Sequence, residues 1–311
     1  MKKAAKVLLK FALALFVLLN VIVMCHAYKF THFYEPSEVV TKTDAEKTGW
    51  DKTKELLFGF NTIKQKNIAP DSTFKTVTIT TADDFKLDAW YNTVPNAKGS
   101  VAMFHGHAGK KSGLLLEAAS FREMGYNTLL VDLRAHGNSE GNTCTIGFNE
   151  GADVKAAYDY LQKNGEKNIM LYGISLGAST ITKAMNDYEI APSKIILEMP
   201  FGTLSEAVVG RVKMMGLPPQ PISTLLTFWG GVEHGFWAFS MKPTEYVKKI
   251  KCPTLLQWGK NDPRVSEKET NELYANLTSV KKLVVYDSCV HESLCAKQHA
   301  KWMSNISEFV Q

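Results

Sequence analysis

Cysteine is scarce in this chain and falls into no pattern. Cys25, Cys144, Cys252, Cys289 and Cys295 show neither the close paired spacing of a zinc site nor the density of a disulfide scaffold. Cys289 and Cys295 are close enough in sequence to pair in an oxidising compartment, while Cys252, just before an apolar run, reads as a small buried side chain. No metal and no cofactor is expected. A strong charge of one sign is also missing: the formal net charge is +5, and Lys2, Lys3, Lys6 and Lys10 lie in the first 27 residues, which hold no acid, so the remainder carries 5 − 4 = +1. A near-neutral body gives no reason to expect a nucleic-acid partner. Internal repeats and low-complexity tracts are absent, which excludes repeat architectures. What is present is a chain of 311 residues with 45% hydrophobic content, enough to bury a full core.

The four lysines precede an apolar block, Phe11 to Met24, interrupted only by Asn20, a charge layout typical of an export signal. Residues 1–27 are therefore set aside from the fold. Cys25-His26-Ala27 offers small residues where a signal peptidase reads, so cleavage before Tyr28 is one outcome. The other is an uncleaved anchor, because residues 7–28 are long enough to cross a bilayer as a helix. Either way the positive-inside rule places the body outside the cytoplasm, periplasmic or extracellular, with membrane contact only if the segment is retained. Residues 28–72 are expected to form a polar tether to about residue 45, then an amphipathic helix within Asp44–Phe60 whose Trp50, Leu56, Leu57 and Phe60 meet the core.

From residue 73 to 311 the pattern is that of one α/β domain. Residues 74–80 and 85–91 alternate like an antiparallel pair of half-buried strands. Six short apolar runs follow, at 100–104, 128–132, 169–172, 195–198, 254–258 and 283–286, separated by helix-like segments. Such alternation predicts a mostly parallel sheet covered on both faces. The interval of about residues 202–250 is too long for a simple crossover and holds Phe228, Trp229, Phe236 and Trp237, so it reads as a helical cap. Those four aromatics are candidates to line a pocket for an apolar acyl or aromatic group, the alternative being plain packing of the cap.

The chemistry centres on Gly173-Ile-Ser-Leu-Gly177, at the junction of an apolar strand and a helix. Two glycines without Cβ atoms permit a turn tight enough to push the Ser175 hydroxyl above the sheet. A serine needs an imidazole to take its proton and a carboxylate to orient that imidazole. Among the eight histidines only His291 follows the last strand of the sheet that also presents Ser175. Asp262, in the loop after the 254–258 strand, is the expected acid, with Glu198 the alternative. The oxyanion is expected to be held by the backbone amides of Leu176 and His107. A metal role for His105-x-His107 lacks the other ligands and the barrel pattern it would require.

These pieces together resemble the α/β-hydrolase superfamily, in its capped serine esterase, lipase and serine aminopeptidase-like (S33-type) branch. The resemblance is carried by Phe104-His-Gly-His107, Asp132 to Gly141, Gly173-Ile-Ser-Leu-Gly177, Lys251-Cys-Pro253 leading to Asp262, and His291, in the order Ser, Asp, His. It implies an α/β-hydrolase fold with an eight-stranded, mostly parallel sheet and a small cap. It also implies a serine hydrolase acting on a small-molecule acyl ester or thioester through Ser175, Asp262 and His291, with Arg134 and His136 structural. An amide or peptide hydrolase on the same residues, and a non-catalytic binding module, remain as alternatives.

Overall fold

A computed structural model describes residues 2–311. Helix α1 (Lys2–Thr31) contains no glycine or proline to interrupt it, and at 1.5 Å per residue is about 45 Å long. From Val7 to Leu18 its large apolar side chains are 51% to 70% exposed, whereas Val23 and Ala27 are buried against the body. Residues 28–34 are accordingly not part of a free tether. They form the last turn of α1 and strand β1 (Phe33–Tyr34), which pairs in parallel with β2 (Thr62–Ile63).

Between those strands lies α2 (Gly49–Phe58), started by a capping box between Thr48 and Asp51. Its apolar side chains, and that of Phe60 just beyond it, do not reach the core as expected: Trp50, Leu56 and Phe60 are 64%, 71% and 54% exposed. The reason is its neighbour. The helix leans on α1, where the His26 ring nitrogen Nε2 bonds the Leu56 carbonyl at 2.9 Å, and not on the sheet.

The main sheet has eight strands: β3 (Lys75–Thr80), β4 (Lys86–Asn92), β5 (Ser100–Phe104), β6 (Asn127–Val131), β7 (Ile169–Ile174), β8 (Lys194–Glu198), β9 (Thr254–Gly259) and β10 (Lys281–Tyr286). Their order is β10-β9-β8-β7-β5-β6-β4-β3, parallel except for the β3–β4 and β4–β6 pairs. The mostly apolar central strands β5 and β6 are buried along their whole length, and edge strand β3 alternates, as each pattern requires. Helices α3 (Leu115–Glu123), α4 (Gly151–Lys163) and α5 (Leu176–Asp187) connect the central strands. The cap is formed by α6 (Leu204–Met214), α7 (Ile222–Glu233) and the short α8 (Pro243–Tyr246). The chain then closes through α9 (Glu267–Asn276), α10 (Leu294–Lys297) and α11 (His299–Val310). Behind β7 the rings of Tyr172, Phe121 and Trp302 meet edge to face at 5.7–6.2 Å. Strand order reverses at β5, which has β6 on one side and β7 on the other, so the carboxyl ends of β5 and β7 flank the crevice where open α/β sheets place ligands.

Candidate active site

Ser175 stands between β7 and α5 with φ 53° and ψ −110°, a conformation that an L-residue adopts only under constraint. The constraint is steric and hydrogen-bonded. The Ser175 amide donates to the Glu198 carbonyl at 2.7 Å, tying the turn to the neighbouring strand. A Cβ on Gly173 would sit 2.6 Å from the Ala178 nitrogen, and one on Gly177 would overlap the Phe104 carbonyl. The turn therefore closes only with glycine at both places.

Asp262 and His291 come from the loops after β9 and β10. Gly259 lets these loops touch, since a Cβ there would lie 2.7 Å from the Cys289 carbonyl, and the Asn261 amide donates to that same carbonyl at 3.0 Å. One Asp262 oxygen accepts the amides of Arg264 and Val265 at 2.7 and 3.0 Å. The other accepts from His291 Nδ1 at 2.6 Å, which leaves Nε2 as the acceptor that faces the Ser175 hydroxyl at 2.8 Å. The Asp262 side chain is fully buried and that of His291 is 9% exposed. A hydroxyl bonded to a neutral imidazole in this way can release its proton as it attacks a carbonyl. Glu198 is not in contact with His291. It is buried behind the sheet, where it accepts from Trp302 Nε1 at 2.5 Å and Gln257 Nε2 at 3.0 Å.

His107 follows β5 in a loop that passes over the Ser175 turn, with the Gly106 Cα directed at Ser175. Among the described residues, neither the His107 amide nor the Leu176 amide at the start of α5 donates to another protein group. His105 and His136 brace this loop. His105 Nε2 accepts the Leu133 amide at 3.2 Å and its Nδ1 donates to the Gly106 carbonyl at 2.8 Å; His136 Nε2 accepts the Ala108 amide at 3.2 Å. Both are neutral, His136 being pushed down to about 3 chiefly by burial and by His105. With both ring nitrogens of His105 bound to backbone, no lone pair is left for a metal. Arg134 pairs with Asp83 and Asp153 at 2.7 Å each, a structural bridge.

The cap aromatics are dispersed and do not line one wall. Trp229 turns toward α1, where its Nε1 donates to Asn20 at 3.0 Å; Phe236 stacks on Phe148 at 4.4 Å; Phe228 and Trp237 are 38% and 60% exposed. The site has instead a neighbour that the sequence did not suggest. The Phe30 ring, in the last turn of α1, stacks on the His107 ring at 4.4 Å, and Phe33 packs edge-on to it at 5.4 Å. The orphan carbonyls at this helix end are met by the body: Lys29 by the Thr62 hydroxyl at 2.8 Å, Phe30 by His107 Nε2 at 3.3 Å, Thr31 by the Cys144 amide at 2.8 Å. All five cysteines are free, and Cys295 faces His299 Nδ1 at 3.5 Å.

The fold and this arrangement define the class: the chain has the α/β-hydrolase fold, and over part of its length it is similar to esterase- and lipase-type hydrolases. The family model for serine aminopeptidase, S33, matches residues 95–229. An uncharacterised protein of Bacillus subtilis (strain 168), YqkD, is 26% identical over 194 residues, covering 61% of this chain and 64% of that protein. Lysophosphatidylserine lipase ABHD12 of Xenopus tropicalis is 25% identical over 200 residues, 60% of this chain and 48% of the lipase. The matches thus span less than two thirds of the Bacillus protein and about half of the lipase. Among solved structures, Pyrococcus furiosus esterase Pf2001 has a TM-score of 0.67 at 24% identity, covering 81% of this chain and 98% of that one.

Proposed function

We propose that the chain hydrolyses a carboxylic ester or thioester through an acyl-enzyme. His291 takes the proton of Ser175 as the hydroxyl attacks the substrate carbonyl, and Asp262 holds the imidazole in the required tautomer. The amides of His107 and Leu176 stabilise the oxyanion, each donor contributing about 10²–10³ in rate. Collapse expels the alcohol or thiol with the proton from His291, and water repeats the sequence to release the acid. The observation that carries this reading is the unbroken chain from Ser175 Oγ through His291 to Asp262 at 2.8 and 2.6 Å. A fluorophosphonate should label Ser175, and nitrophenyl esters from acetyl to palmitoyl should be cleaved. Ser175→Ala should lose both activities, and full ester turnover by that variant would overturn the proposal. An aminoacyl anilide in the same panel tests the amidase reading, which the S33 family match favours.

We further propose that α1 is retained as a membrane anchor, with the body on the periplasmic or extracellular side. Support comes from the helix Lys3–Thr31, which is long and apolar enough to cross a membrane, and from the burial against the body of Val23 and Ala27, both of which lie before the expected cleavage point.

A further inference from the structure

The chain has four arginines, and they divide into two kinds. Arg122 pairs with Asp71 at 3.3 Å, and Arg134 with Asp83 and Asp153. Arg211 and Arg264 have, among the described residues, no ion pair and no side-chain hydrogen bond, and Arg264 Nε is buried with no acceptor. Both stand beside the candidate active site. Arg264 lies two residues after Asp262, its own amide bonded to that carboxylate at 2.7 Å. Arg211 projects from α6, the first cap helix, and its guanidinium lies 4.8 Å from the centre of the Phe30 ring that stacks on His107.

The two arginines are held together by backbone packing. A Cβ on Gly210 would lie 2.5 Å from the Arg264 carbonyl, so α6 rests directly on the acid loop. Among the described residues no carboxylate pairs with either: burial, with the charge of Arg264 adding to it, lowers Arg211 to about 10. The same two charges add to burial in holding His107 neutral. Asp262, the acid nearest in sequence, already receives His291 and two backbone amides. A half-buried pair of like charges with an unmet Nε is costly unless an anion completes it, and guanidinium forks match the paired oxygens of phosphate and carboxylate.

We infer that Arg211 and Arg264 form an anion subsite for the alcohol half of the substrate, so that the preferred ester carries a phosphate group on its leaving alcohol. Arg264 belongs to the loop of Asp262, and Arg211 packs on the Phe30 ring that stacks on His107, so an anion held by the pair would lie between the acid loop and the His107 loop. The inference rests on the ester-hydrolase reading above, and it assigns a role to two side chains outside that machinery.

The test uses the full chain in detergent with two esters that differ only in the anion, 1-oleoyl glycerol and 1-oleoyl glycerol 3-phosphate. The ratio of kcat/KM for the phosphate ester over the neutral one should exceed about ten, and should fall about tenfold in Arg211→Gln and in Arg264→Gln. Arg→Lys at either position keeps the charge without the fork and should give intermediate ratios. A purely structural role would lower both rates and leave the ratio in place, which would overturn the inference. So would a wild-type ratio near one, a result that needs no variant to fold. Glycerol 3-phosphate should inhibit hydrolysis of the neutral ester better than inorganic phosphate does; equal inhibition would make this a free-phosphate site and overturn the assignment to the leaving alcohol. If Ser175 takes up fluorophosphonate while the two esters react alike, the subsite alone fails. If Ser175 does not label, the hydrolase reading fails first.

Discussion

At the scale of single residues, Gly177 carries more of the site than its lack of a side chain suggests. Gly177→Ala would drive a methyl group into the Phe104 carbonyl and to within 2.8 Å of the His105 carbonyl, the start of the loop that bears the His107 amide. Overpacking of this kind costs about 1–3 kcal/mol, and a displaced oxyanion donor about 10²–10³ in rate. The expected variant is folded, melts several degrees lower, and loses at least a hundredfold in nitrophenyl acetate turnover. Glu198 offers a second test, because burial raises its carboxyl to about 8, with the charge of Glu117 adding to the effect. The folded protein keeps that proton up to about pH 8, whereas the unfolded chain releases it near 4.5, so stability falls as pH rises through that window. Glu198→Gln removes the titration and retains an oxygen for Trp302 and Gln257. Its melting temperature should match wild type at pH 5 and exceed it at pH 8; parallel curves would refute the assignment. Ser175, Asp262 and His291 were legible in the sequence because each follows an apolar strand, and strand ends in a parallel sheet converge on one edge. Arg211 and Arg264 were not, because nothing in their local sequence signals that no acid lies opposite either of them.

At the scale of elements, the eight strands and most helices followed from hydrophobic periodicity, since a strand buried on both faces is predominantly apolar. The end of α1 did not. Periodicity marks it as apolar but cannot tell whether lipid or the cap takes up its surface, and the docking is visible only from the partners of its last carbonyls. Phe33 is 1% exposed and touches both His107 and His136, so the helix end and β1 brace the loop that bears His107 from outside the α/β domain. A chain beginning at Pro36 should therefore lose activity and melt non-cooperatively. Phe33→Ala alone should cost about 3–5 kcal/mol, measured by thermal unfolding in detergent. A chain beginning at Pro36 with wild-type turnover would show that α1 is only a tether. Intact-mass measurement on membrane-extracted protein supplies the complementary check, with residues 1–27 expected to be present.

At the scale of the whole molecule, α1 as the proposed anchor and α7 packed along it would together fix how the body meets a bilayer. Trp229 bonds Asn20 at 3.0 Å and His234 bonds Thr31 at 2.7 Å, so the two helices run in the same direction, and the beginning of α7 points back along α1 toward its lipid-like stretch. The α6–α7 turn lies at that end and exposes Met214, Met215 and Leu217 at 49%, 55% and 43%. Apolar side chains are costly to leave in water, but with α1 crossing a bilayer as proposed they would sit at the depth where amphipathic segments bury their faces. The cap's tip would then enter the interface while the Ser175 crevice opens beneath the same cap, and a long-chain ester could pass from bilayer to site without crossing water. Replacing Met215 and Leu217 together with glutamate tests this arrangement, since the charges oppose insertion and lie at exposed positions of the fold. Hydrolysis of a long-chain monoacyl ester presented in vesicles should fall at least tenfold, while the soluble ester nitrophenyl acetate should be cleaved within about twofold of wild type. Equal rates on the vesicle substrate would mean that the cap stands clear of the membrane and that substrate reaches Ser175 through water.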